Sequence, residues 1–120
     1  MGIEHNVVFI SWGLPVVGRE ALVGELLLSR VAYLEKCKKA GKIESWENII
    51  LTPHAVDPAG FFIIRGAHEG LLWMLDDTDF QEQNMRAMYC LTNYAVLPAF
   101  GGPLVPEVMK MWAKAMPHRD

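Results

Sequence analysis

Gly60-Phe61-Phe62-Ile63-Ile64-Arg65-Gly66 sets four consecutive apolar residues, aromatic and β-branched, between two glycines, which is the composition of a strand. Successive side chains of a strand point to opposite faces, so Phe61 and Ile63 share one face with Arg65 while Phe62 and Ile64 take the other. Both faces are apolar and both ask to be buried, and one layer of helices covers only one of them.

Working outward, residues 54–59 hold Asp57-Pro58 and are too few for a crossover helix, so the strand before them, at 45–53, is an antiparallel neighbour. That strand mixes Ile49, Ile50 and Leu51 with Glu47, Asn48 and Thr52, which suits a sheet edge, and Pro53 ends it. Further upstream, residues 19–39 repeat Leu22, Val23, Leu26, Leu27, Val31, Leu34 and Cys37 at three- and four-residue steps, the stripe of a helix lying on a sheet. Lysines fill its last turn and Gly41 is placed to take the left-handed cap. Residues 6–12, with Val7, Val8, Phe9 and Ile10, form the first strand, again apolar on both faces.

Downstream, residues 67–75 predict a short helix, and Asp76-Asp77-Thr78-Asp79 interrupts it, with Thr78 or Asp79 capping a second piece over 80–91. A last strand spans 92–99, and Gly101-Gly102-Pro103 separates it from a helix over 106–116 striped by Leu104, Val108, Met111, Trp112 and Ala115. The order is β-α-β-β-α-β plus a C-terminal helix. This is an α+β, ferredoxin-like pattern: a four-stranded antiparallel sheet with its helices on one face, formed by residues 1–120 as a single domain. The bare face would leave about ten apolar side chains wet, which a monomer avoids, so a homodimer through the open sheet faces is expected, with the last helix near or across the interface.

With 120 residues and a net charge of −3, and with no basic cluster beyond Lys36, Lys38, Lys39 and Lys42, no nucleic-acid partner is expected. No apolar run reaches the ~20 residues of a membrane span, and no basic segment precedes the first apolar run, so a soluble cytoplasmic protein is expected. Cys37 and Cys90 both fall in helical patterns and read as buried free thiols.

Three stretches carry a resemblance: the helix end Tyr33-Leu-Glu-Lys-Cys-Lys-Lys-Ala-Gly-Lys-Ile43, the hairpin Asp57-Pro-Ala-Gly-Phe-Phe-Ile-Ile64, and the break Leu75-Asp-Asp-Thr-Asp-Phe80. Over about residues 6–100 the chain resembles the dimeric α+β barrel superfamily and, within it, the YCII-related and stress-responsive barrel proteins. The resemblance implies two ferredoxin-like sheets packed face to face. The histidine that YCII-like chains carry on the first helix falls near Arg30 here, so fold and dimer are implied and no catalytic residue is carried across.

In such an architecture a ligand cavity lies between sheet and helices or at the barrel mouth, apolar with a few polar groups. Arg65, on a central strand, calls for an anionic partner, either a ligand carboxylate or Asp57, Glu69 or Asp76. Trp12, Trp73 and His54 are further candidates for lining a ligand site, and an apolar or anionic small molecule is the expected ligand. His68 and Tyr94 are the candidate proton-transfer groups of an alternative reading, a cofactor-independent monooxygenase or isomerase. A structural or interaction domain is a third. His5 and His118 lie near the termini and are set aside. No metal site is expected, since His68-Glu69 has no second His one turn on and neither cysteine has a partner at ligand spacing. No cofactor is expected: no phosphate-binding loop or dinucleotide fingerprint occurs, and Asn6, His68 and Trp73 stand in the wrong order for haem-binding barrels.

Overall fold

A computed structural model describes residues 2–117, so His118 lies outside the described residues. Strands β1 (Val7–Trp12), β2 (Ser45–Ile50), β3 (Gly60–Arg65) and β4 (Ala95–Ala99) form one sheet in the order β2-β3-β1-β4, and every adjacent pair is antiparallel. The fold is α+β, with four α-helices: α1 (Ala21–Lys39), α2 (His68–Asp76), α3 (Thr78–Cys90) and α4 (Val105–Ala115).

β2 is shorter than its apolar run. The Leu51 N–H donates to the Ala59 carbonyl at 3.0 Å, and the ladder stops before Pro53, which has no N–H to offer. β4 starts at Ala95 and not at Thr92, because the Thr92 N–H and hydroxyl both donate to the Leu14 carbonyl, at 3.0 and 2.7 Å, and Asn93 turns through φ 49°.

α1 closes as its sequence dictates. Gly41 sits at φ +75°, its N–H donates to the Lys38 carbonyl at 3.1 Å, and the Lys42 N–H reaches back to Cys37 at 2.9 Å, the paired bonds of a Schellman cap. The turn that follows lies against α2 so closely that a Cβ on Gly70 would stand 1.9 Å from the Lys42 carbonyl oxygen. Between α2 and α3 the N-cap is Asp77, one residue before the expected Thr78 and two before Asp79. Its carboxylate makes no cap bond and accepts instead from the Tyr33 hydroxyl at 2.6 Å, tying this break to α1.

The core fills one side of the sheet. Val8, Ile10, Trp12, Phe62 and Ile64 project toward Leu34, Leu71, Met74, Phe80 and Ala87 of the helices. On the other side Phe9 and Phe61 pack with tilted rings, 5.3 Å between centroids, flanked by Ile63, Ile49 and Leu97, and no layer of the described residues covers them. α4 is equally uncovered. Val105, Val108, Met109, Trp112 and Met116 recur along one stripe, yet none is buried and Trp112 is 61% exposed. Its main contacts are with the 3-10 turn Gly102–Leu104 just before it. With one helical layer and a detached helix, the chain measures 56 × 38 × 22 Å and its radius of gyration is 16.4 Å, against about 14 Å for a compact domain of this length.

Candidate ligand chamber

The α1 residues facing the sheet run Leu26, Arg30, Leu34, Cys37, steps of four and three that put a guanidinium in an apolar stripe. Arg30 is only 4% exposed. Its Nη2 donates to Asn84 Oδ1 at 2.8 Å, and the Tyr94 hydroxyl donates to the same oxygen at 2.6 Å, so Asn84 of α3 joins α1 to the residue that leads into β4. The guanidinium also lies over the Phe80 ring, 4.4 Å from its centroid. Among the described residues no carboxylate forms an ion pair with it.

Two polar atoms here are buried without a partner, Arg30 Nη1 and Gln83 Oε1, while Gln83 Nε2 donates to the Ser29 carbonyl at 3.2 Å. Burial pushes the Arg30 pKa down, with Tyr94 opposing, and pushes the Tyr94 hydroxyl up, with Arg30 opposing. Arg30 remains a cation and Tyr94 a neutral donor at neutral pH. Ile10, Trp12, Leu26, Phe62 and Leu91 complete the walls of a void of about 10 Å³, room for about one water molecule. Outside it, between α1 and α3, lies a half-open groove of about 380 Å³ lined by Leu22, Ser29, Met85 and Tyr89 with Glu25 and Arg86. Leu26 borders both spaces.

Of the residues singled out from sequence, the fold brings Trp12 and Tyr94 together at this void. Arg65 is exposed at the end of the uncovered face, opposite Val7 and Ser45, with no carboxylate paired to it among the described residues. Of its expected partners, Asp57 stands at the far end of β3, where it accepts from the Asn93 side chain. His54 is exposed beyond β2, its Nδ1 2.6 Å from the Thr52 carbonyl. Trp73 is on the outer side of α2, with Lys42 Nζ 4.8 Å from its ring centroid.

His68 opens α2 at the Val7 end of the sheet, its Nδ1 3.1 Å from the His5 carbonyl and its Nε2 3.5 Å from Glu4. Tyr94 lies at the Trp12 end, so the two candidate proton-transfer groups are separated by the length of β1, roughly 17 Å. His5, set aside for its position in the chain, stacks between His68 and Phe100 at 6.2 and 4.7 Å. Arg30 and Asn84 escaped the sequence reading as site residues. The available signal was a charge standing four residues from both Leu26 and Leu34 in the buried stripe.

Among the described residues, no three His, Cys, Asp or Glu side chains converge as a metal site, and no helix is long and apolar enough to cross a membrane. Comparison with protein-family models, curated proteins and solved structures finds no match.

The layer between sheet and helices also sets a pH response. Burial raises the pKa of the Cys37 and Cys90 thiols and of Tyr33 and Tyr94, and the bond to Asp77 raises Tyr33 further. The folded chain therefore keeps protons that the unfolded chain releases above about pH 8.5 for thiols and about 10 for phenols. The stability these groups contribute is fully present below pH 8 and is lost as pH rises toward their raised values. Urea midpoints measured from pH 7.5 to 10.5 are expected to hold level and then fall, and Tyr94→Phe should flatten part of the fall. A midpoint constant to pH 10.5 would contradict this account.

Proposed function

We propose that the protein is a small-molecule-binding domain of the dimeric α+β barrel type. Two ferredoxin-like subunits pair through the faces bearing Phe9, Phe61 and Ile63, and each keeps a ligand chamber between its own sheet and helices. The observation that carries the binding function is Arg30 Nη1, a buried donor without a partner among the described residues, on a side chain that lines a void otherwise walled by Tyr94 and apolar residues. A buried donor or acceptor without a partner costs about 1–3 kcal/mol, and a ligand presenting complementary groups removes that cost. Supporting the barrel are the uncovered Phe9-Phe61 face and the exposed stripe of α4, two apolar surfaces on one thin chain.

A fragment screen tests the binding function directly. At least one small organic compound is expected to raise the melting temperature by several degrees and to shift the methyl resonances of Leu26, Ala87 and Leu91. A library in which no compound moves those methyls would refute the reading.

A further inference from the structure

We infer that the chamber takes a monocarboxylate with an apolar body, the carboxylate held by Arg30 and the body lying past Leu26 toward the groove between α1 and α3. The inference rests on the reading of the chamber as a binding site and adds the chemical class of its ligand.

Arg30, 4% exposed and paired with no carboxylate among the described residues, carries an uncompensated positive charge, and buried cations are ordinarily paired. Its neutral neighbours do not supply the missing charge. Asn84 offers one carbonyl oxygen already shared with Tyr94, and Asp77, the carboxylate at the head of α3, is engaged by Tyr33. One fixed cation calls for one negative charge. A dianion such as a phosphate monoester would bring a second charge into walls made of Ile10, Trp12, Phe62 and Leu91, where no second cation is found.

Shape agrees with charge. A planar carboxylate suits the planar guanidinium fork, and Arg30 Nη1 is the N–H-bearing edge without a partner. The void of about 10 Å³ cannot hold an organic body, but the groove of about 380 Å³ can, and Leu26 is the one residue lining both. A change in the Leu26 rotamer would join the two spaces, with the carboxylate at Arg30 and an aliphatic or aromatic body against Leu22, Met85 and Tyr89.

Hexanoate and benzoate, each compared with its primary amide, test the class by calorimetric titration of the whole protein. The carboxylates are expected to bind the wild type at least tenfold more tightly than the amides, and Arg30→Met should remove that preference. Because methionine keeps an unbranched apolar stem in the buried stripe and removes a buried unpaired charge, Arg30→Met should melt no lower than wild type. A readout independent of any variant is the Arg30 Nε–Hε resonance, which should move on adding hexanoate and stay in place on adding hexanamide. Equal affinity for acid and amide, or an unmoved Arg30 resonance at saturation, would overturn the carboxylate assignment and leave the chamber as a binding site for neutral ligands. Failure of both acids and both amides to bind overturns the assignment, and the chamber itself falls only if the wider fragment screen is also empty.

Discussion

A chain carrying Phe61→Asp together with Ile63→Asp is expected to scatter light as a folded 13.5 kDa monomer, where the wild type at micromolar concentration scatters as a dimer of twice that mass. Both side chains project from the face opposite the helices, and Phe61 packs against Phe9 there with ring centroids 5.3 Å apart. They are not among the buried core residues, so their replacement leaves Val8, Ile10, Phe62 and Ile64 packed as before. In the proposed dimer each subunit would bury on the order of 800 Å², and two substitutions per subunit place four carboxylates in one apolar seam. Burying an ionised carboxylate without a partner costs several kcal/mol, so the dissociation constant should rise by at least about a thousandfold. A wild-type protein that stays at 13.5 kDa, or a double variant that stays dimeric, would sink the proposed pairing.

Phe80→Ala is the substitution expected to cost most within one subunit. Phe80 has no exposed surface, packs beneath the Arg30 guanidinium, and lies 5.9 Å from the Tyr33 ring. It is thus the apolar floor beneath Arg30 and Tyr33, two of the residues that link α1 to α3 and its N-cap. Truncating a buried phenylalanine leaves a cavity and typically costs about 3–5 kcal/mol, a third or more of the stability of an ordinary domain. Urea unfolding followed by circular dichroism should show a loss of at least about 3 kcal/mol. A loss below about 1.5 kcal/mol would mean that the α1–α3 layer collapses around the gap and that the site tolerates rearrangement.

The strands were legible because Gly60–Arg65 and its neighbours carry continuous apolar runs bounded by Gly, Pro and Asn, and pairing of β2 with β3 follows from the short connection alone. The ends were less so. Thr92 belongs to the last apolar stretch by composition, but its bonds to Leu14 remove it from β4, a long-range contact that local pattern cannot carry. The site was partly legible. Tyr94 and Trp12 stand out in the sequence as a proton-transfer candidate and a pocket candidate, whereas a lone charge in a helical stripe such as Arg30 is ordinarily solvated, with its head turned outward. What buries it is the approach of Asn84 and Phe80, from a helix some 50 residues later, and no periodicity within α1 reports that approach. Arg65 shows the converse: a charge on a central strand suggested a buried partner, yet the face it shares with Phe61 and Ile63 is the one left open within a single chain.

The placement of β1 has a consequence for how the chain is made. As the earliest strand of the sheet in chain order and a central one, it pairs at Val7 with both Arg65 and Ala99, so one hydrogen-bonding edge stays unmatched until residue 65 is available and the other until residue 99. Until then Val7, Val8, Phe9 and Ile10 form an aggregation-prone segment. The pieces available to fold early are local ones, the α1 helix and the β2–β3 hairpin, and late insertion of β1 between β3 and β4 would set the pace of folding.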